Sequence, residues 1–316
     1  MGAVVGTSMG GAETLDLAYR QMYQKGAQRV NPFTIPRMMH NAAASHITME
    51  FGCKGPSMSI TTACSSAGHA IGSAFHMIKF GQADTVLAGG SDAPLVYGFV
   101  RAWESMRVLA SSGGDPQRAC RPFSKDREGF VLGEGAGILL LEEYEHAVAR
   151  GARIYAELVG YGTTSDANNL TQPTTEGPTR ALLQALDEAR LNPDQIDYIN
   201  AHGTATPTND VNETRSIKAV FGDKPNLVVS STKSMHGHAM GATGAIELIA
   251  MVLAVERNVV PPTANYSVPD PECDLDYAPN QARECPVNAA LSNSFAFGGL
   301  NAVLAVKKVG FANCPL

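Results

Sequence analysis

Along almost the whole chain, short apolar runs bounded by Gly, Pro or polar turns alternate with stretches of helical periodicity. Strand patterns stand at residues 57–62, 85–88, 137–141, 155–160, 198–201, 227–231, 289–293 and 302–306, and a buried strand runs into a glycine-rich turn over 1–11. Helical patterns occupy 12–25, 66–80, 178–189, 211–221 and 245–256. This alternation predicts an α/β fold with mainly parallel strand pairing. An internal echo narrows the prediction. SMSITTACSSAGHA from Ser57 and LVVSSTKSMHGHA from Leu227 both read strand, polar turn, GHA, helix, with GHA at 68–70 and again at 237–239. Two homologous halves follow, with a seam near 150–153. The turns after Thr62 and after Ser231 would then sit side by side at the carboxyl ends of strands, where open α/β sheets place their sites.

With 44% hydrophobic and 17% charged residues among 316, the composition is that of a globular protein. A formal net charge of −6 leaves no excess of Lys and Arg to neutralise phosphates, which excludes a general affinity for nucleic acid. The longest apolar stretches, 135–141 and 246–255, are too short to span a bilayer, and the first residues lack the charged and apolar regions of a signal peptide. A soluble, cytoplasmic protein is expected. Cysteines at 53, 64, 120, 273, 285 and 314 form no CxxC pair and no zinc-like spacing, so the ordinary expectation for each is a small buried hydrophobe.

Cys64 has a different context. It follows a strand and precedes a helix rich in small residues, which predicts a thiol presented at a helix N-terminus, with its pKa lowered by the helix dipole. A buried cysteine in a helix start is the competing reading. His202, in YINAHGTATPTND, stands at the end of another strand, and His238, in SSTKSMHGHAMGATG, stands at a further turn five residues after Lys233. The HGH from His236 to His238 is poor metal-ligand material, because no carboxylate or cysteine is close in sequence. In NSFAFGGLNA, residues 293–302, two aromatics and two glycines interrupt an apolar strand region. That segment reads either as a sheet-edge hairpin with Phe295 and Phe297 in the core or as an aromatic gate over a channel.

Four ordered motifs, TTACSSAG, NAHGTATPTND, SSTKSMHGHAMGATGA and NSFAFGGLNA, resemble those of β-ketoacyl-acyl carrier protein synthases of the second, elongating type. The resemblance extends through RPFSKDREGFVLGEGAG and LLLEEYEHAVARGARIYAELVGYG and covers essentially the whole chain. It implies a thiolase-like α/β fold, five-layered α-β-α-β-α, built from two pseudo-symmetric halves at 1–150 and 151–316, the first incomplete at its N-terminus. The Cys-His-His pattern is that of elongating enzymes; KSMHGH and HGTATP favour the freestanding type over modular polyketide synthase domains.

The resemblance further implies a decarboxylative Claisen condensation without metal or organic cofactor. Cys64 would carry the acyl group, His202 and His238 would stabilise the enolate of malonyl-acyl carrier protein, and the N–H groups of Cys64 and Phe297 would form an oxyanion hole. Lys233 would order the histidines together with Glu247, with Thr204 and Thr206 in support and Phe295 at the gate. A homodimer is expected, with acyl carrier protein as partner and Arg121 in its docking patch. Thr208, His236, Ala296 and Leu300 depart from the usual residues, and Asn169, in a loop expected to face the gate, replaces an aromatic or His. These departures point to a specialised fatty-acid or polyketide-like branch. A non-catalytic partner subunit is the remaining alternative, and the presence of Cys64 argues against it.

Overall fold

The computed structural model describes residues 1–111, 114–222 and 224–312. In the first half the order is β1 (Gly2–Gly6), α1 (Ala12–Lys25), α2 (Thr34–Met38), α3 (Ala42–Phe51), β2 (Ser57–Ile60), α4 (Ser66–Lys79), β3 (Thr85–Asp92), α5 (Tyr97–Ser105), β4 (Gly135–Glu142) and α6 (Tyr144–Ala149). The second half runs β5 (Glu157–Ser165), α7 (Glu176–Ala189), β6 (Tyr198–Asn200), α8 (Pro207–Phe221), β7 (Val228–Ser230), α9 (Lys233–His236), α10 (Thr243–Arg257), β8 (Val259–Val260), β9 (Arg283–Glu284), β10 (Ala289–Ala296) and β11 (Leu300–Lys307).

Two sheets result, ordered β2-β1-β3-β4 and β7-β6-β10-β11-β5. Helices α4 and α10 lie between them, and their apolar faces meet both sheets in one core that includes Ile71, Met77, Leu248 and Met251. A second core, with Leu182, Leu186, Ile199 and Ile217, forms where α7 and α8 cover the outer face of the second sheet. Helix α3 packs outside β1 and β2. These five layers are the thiolase-like arrangement.

The pairing is mixed rather than mainly parallel. β1, β2 and β3 are parallel, as are β6, β7 and β10, but β4 runs antiparallel to β3, and β11 runs antiparallel to both β10 and β5. Between β10 and β11 only Phe297, Gly298 and Gly299 connect the strands, a distance that permits a hairpin and forbids a parallel crossover.

The halves correspond, but not in the register of the GHA echo. A short 3₁₀ turn, Ala63–Ser65, precedes α4, and another, Met240–Ala242, precedes α10. Each opens on a non-glycine residue with positive φ, Ala63 at 49° and Met240 at 46°. Left-handed backbone is costly for such residues, so the shared conformation marks equivalent positions better than a shared tripeptide does. The first GHA lies inside α4 and the second lies in the turn after α9, which makes the tripeptide match coincidental. The turn adjoining Cys64 is accordingly Met240–Ala242, and not the one directly after Ser231.

Close packing along α4 depends on Gly72. A Cβ there would fall 2.4 Å from the ring of Tyr161 on β5, so glycine is what lets that aromatic lie against the helix. Cys53, Cys120 and Cys273 are buried free thiols, Cys285 is half-buried, and Cys314 lies outside the described residues. Among the described residues no helix is long and apolar enough to cross a membrane.

Candidate active site

Cys64 occupies the 3₁₀ turn between β2 and α4. Ser66 holds the turn by accepting from the Thr62 N–H at 2.9 Å and donating to the Ala63 carbonyl at 2.7 Å. Ser65 Oγ is 2.8 Å from the carbonyl oxygens of both Ser294 and Leu300, tying the cysteine turn to the β10–β11 hairpin. The hairpin tip thereby reaches the thiol, and the backbone N–H groups of Cys64 and Phe297 both act on the sulfur.

The thiol pKa departs from the sequence expectation. Burial pushes Cys64 up to about 11, and the charge of Lys233 and the two N–H groups offset this only in part. Desolvation of the thiolate outweighs the helix terminus here, although the Cys64 side chain itself is only half-buried at the cavity wall. At neutral pH the group is a thiol.

His202 lies at the end of β6 and is almost wholly buried. Its N–H and that of Gly203 donate to the two carboxylate oxygens of Glu213, each at 2.7 Å, and Asn293 Nδ2 donates to the same carboxylate at 3.0 Å. Lys233 Nζ is 3.4 Å from His202 Nδ1, and it donates to the His202 carbonyl and to Glu247 at 2.5 Å. An ammonium can only donate, so Nδ1 is an acceptor and the imidazole proton resides on Nε2. His238 is positioned by an N–H bond to the Val131 carbonyl at 2.7 Å and by Thr243 Oγ1, 2.9 Å from its Nδ1, which leaves its buried Nε2 without a partner. The two rings stand 5.5 Å apart and nearly perpendicular.

Burial, reinforced by the Lys233 charge, pulls both histidines well below their ordinary pKa, so each is neutral at pH 7. Glu247, fully buried beside Lys233, is pushed by burial up to about 7. His236 has both ring nitrogens engaged, with the Gly237 carbonyl at 2.8 Å and Thr232 Oγ1 at 3.0 Å. It closes the α9 turn and does not line the pocket.

A cavity of about 260 Å³ brings Cys64, His202 and His238 together with Thr204, Thr206, Thr208, Asn169, Phe295 and Phe297. Lys233 and Glu247 stand behind it, buried. Thr204 and Thr206 hydroxyls are 2.8 Å apart, and Asn169 accepts from the N–H groups of Thr171 and Gln172 to shape the facing loop. The β10–β11 hairpin is not at a sheet edge. Phe295 is buried beside His202 and Phe297 packs against Trp103 at 5.9 Å, and both line the cavity. The turn meets the Asn169 loop through Gly298 N–H to the Leu170 carbonyl at 2.7 Å and Asp166 N–H to the Gly299 carbonyl at 2.9 Å. Arg121 is engaged by Asp126 at 3.0 Å and faces Glu128 at 3.9 Å.

Sequence reasoning missed Glu213, Asp92 and the apolar wall of Trp103, Met106, Val108 and Phe130. Asp92 is a buried carboxylate that accepts from Thr7, Ser8, Met9 and the N–H of Gly241, joining the loop after β1 to the turn before α10. The one available signal was the pair Asp210 and Glu213, three residues apart on α8, both turned into the core.

Comparison with known proteins decides the family. Residues 1–147 match the N-terminal domain of beta-ketoacyl synthase and residues 155–267 match its C-terminal domain. The chain belongs to the beta-ketoacyl synthase family. This ketosynthase is 53% identical over 309 residues to Nodulation protein E of Rhizobium sp. (strain N33), a match covering 98% of this chain and 75% of that one. It is 46% identical over 311 residues to 3-oxoacyl-[acyl-carrier-protein] synthase 2 of Staphylococcus aureus (strain COL), with the same coverage of 98% and 75%. Among solved structures, a beta-ketoacyl synthase from Burkholderia phymatum STM815 superposes with a TM-score of 0.91 at 37% identity, covering 98% of this chain and 75% of that one. A type II polyketide ketosynthase, solved with its acyl-carrier protein and bound to the hexaketide, superposes with a TM-score of 0.93 at 36% identity over 98% and 78% of the two chains. This chain is therefore a condensing enzyme of the acyltransferase class.

Proposed function

We propose that the enzyme joins an acyl group held on Cys64 to the carbanion released from malonyl-acyl carrier protein. The observation that carries this reading is the shared cavity of the Cys64 thiol and two neutral imidazoles, His202 with its proton on Nε2 and His238 with its Nε2 unpaired. In the first step Sγ bonds to the acyl carbonyl carbon, the carrier thioester breaks, and the carrier leaves as its thiol with the Cys64 proton. The N–H groups of Cys64 and Phe297 hold the oxyanion. In the second, the malonyl C–C bond breaks to release carbon dioxide, and its electron pair forms the enolate, to which both histidines donate hydrogen bonds. The carbanion then bonds to the acyl carbonyl carbon as the C–S bond to Cys64 breaks, and the expelled thiolate takes a proton from solvent water.

Neutral imidazoles suit this step, because charge appears only on the enolate oxygen and a hydrogen-bond donor stabilises it more than it stabilises the ground-state carbonyl. Burial, reinforced by the Lys233 charge, keeps both rings neutral; Lys233 also fixes the His202 tautomer, and Glu213 fixes the loop that carries His202. Thr204 and Thr206 would receive the carrier's prosthetic arm, and Trp103, Met106 and Phe130 the acyl chain. The enzyme would act in the cytoplasm as a homodimer, a second copy pairing along the open edge of β2, where Met58 is exposed. Arg121 would meet an acidic carrier surface by exchanging its bond to Asp126.

A polyketide-type substrate is the second reading, favoured by the polar side of the cavity, where Asn169, Thr171, Gln172 and Thr208 could bind oxygenated chains. Mass spectrometry after incubation with acyl-acyl carrier protein tests the chemistry. A single adduct on the Cys64 peptide, lost in Cys64→Ala, is expected. A folded protein that takes no adduct would overturn the proposal.

A further inference from the structure

To donate to an enolate oxygen, a neutral imidazole must carry its proton on the nitrogen that meets the substrate. For His202 and His238, both neutral, that nitrogen is Nε2, so each Nδ1 must be an acceptor. The Lys233 ammonium settles the matter at His202, because it can only donate. Nδ1 of His238 is bonded to no cation among the described residues. It faces the Thr243 hydroxyl at 2.9 Å, a group able to donate or to accept.

The surroundings decide the direction. Thr243 is buried, and among the described residues its hydroxyl has no partner but His238. Were Nδ1 protonated and donating to Oγ1, the hydroxyl hydrogen would be stranded in the core, and so would the Nε2 lone pair. With the hydroxyl donating to Nδ1, only the Nε2 proton is unmet, and a thioester oxygen in the cavity can meet it.

The duplicated architecture separates this role from a structural one. The turns before α4 and α10 close by the same backbone bond, Ser65 N–H to the Thr62 carbonyl at 3.1 Å and Ala242 N–H to the Ala239 carbonyl at 3.0 Å. Three residues after Ala63 stands Ser66, and three after Met240 stands Thr243. The Ser66 hydroxyl serves its own turn, bonded to the Thr62 N–H and the Ala63 carbonyl. Thr243 makes neither bond with the equivalent groups, so the turn before α10 holds without its hydroxyl, which meets the imidazole instead. We infer that Thr243 is a positioning residue for His238, its hydroxyl donating to Nδ1 so that the ring is held in place with its proton on Nε2. The inference rests on the decarboxylative role proposed for His238 and names what orients it.

Imidazole nitrogen NMR of the intact chain carrying isotope-labelled histidine reads the tautomer without turnover, the His238 resonances being those missing from His238→Asn. The parent should show a protonated Nε2 and a bare Nδ1 with the shift of a hydrogen-bond acceptor. Thr243→Val keeps the shape and removes the donor. It should return Nδ1 to the shift of an unbonded nitrogen, let the second tautomer appear, and lower kcat for carbon dioxide release from malonyl-acyl carrier protein about tenfold, with KM changing less than about twofold. Thr243→Ser should restore both the spectrum and kcat. The inference falls if the parent carries the His238 proton on Nδ1, if Thr243→Val leaves the Nδ1 shift as in the parent, or if its loss lies in KM with kcat intact. Should Thr243→Val fail to fold, the parent spectrum alone decides, since an Nδ1 with the shift of an unbonded nitrogen also overturns the assignment. A parent that releases no carbon dioxide would sink the proposed decarboxylation, while the spectrum still judges Thr243.

Discussion

Alkylation of Cys64 as a function of pH tests the electrostatics of the site most directly. A thiol pushed from 9.0 up to about 11 holds roughly 100-fold less thiolate near neutrality than an ordinary cysteine, a factor of ten for each unit. The iodoacetamide rate at Cys64, followed by peptide mass spectrometry, should climb about tenfold per pH unit from 7 to 10 without levelling. Lys233 is the largest influence lowering this pKa, so Lys233→Met should displace the whole profile to higher pH. A plateau by about pH 8 in the parent would show that the helix terminus prevails over desolvation. A displacement to lower pH in the variant would reverse the sign assigned to Lys233.

The buried Lys233–Glu247 pair predicts strong coupling. Lys233→Met alone should cost about 3 kcal/mol in urea unfolding because it strands a buried carboxylate, Glu247→Gln should relieve much of that cost in the double variant, and additive effects would contradict the pairing. His202 and His238 have folded pKa values below the ordinary 6.5, so they contribute stability above pH 6.5 that is lost as pH falls and the unfolded chain takes up protons. Glu247, raised to about 7, acts in the opposite sense, its contribution being lost as pH rises through 7. His238→Asn should therefore flatten the fall in stability from pH 6.5 to 5 by up to about 2 kcal/mol, and an unchanged slope would mean that the folded imidazole ionises like a free one. Trp103 is the sole tryptophan and meets both Phe130 and Phe297, so Trp103→Ala should raise kcat/KM for longer acyl chains relative to shorter ones, and an unaltered length preference would remove it from the acyl pocket.

The chemistry was legible because it lies in local motifs. Cys64, His202 and Lys233 each stand at a strand-to-helix or strand-to-turn boundary and His238 in the turn between α9 and α10, and small neighbours announce such boundaries in one dimension. Glu213 and Asp92 were not legible, because a carboxylate buried on backbone N–H groups resembles a surface carboxylate until its helix or strand is docked. Trp103 was silent for the same reason. Its contacts, Phe130 and Phe297, are 27 and 194 residues away along the chain.

Strand and helix alternation and the four ordered motifs were determined by the sequence alone, since each rests on neighbours within a few turns of chain, whereas the duplication was read there from a tripeptide match that falls at non-equivalent places in the two halves. Only the tertiary structure decided which turn of the second half mirrors Cys64, that β4, β5 and β11 run antiparallel to their neighbours, and that the nucleophile rests as a thiol. Register, strand direction and desolvation are properties of packed surfaces. A helix N-terminus can be read from a dozen residues, but whether it lowers a thiol pKa depends on how much water the rest of the fold removes.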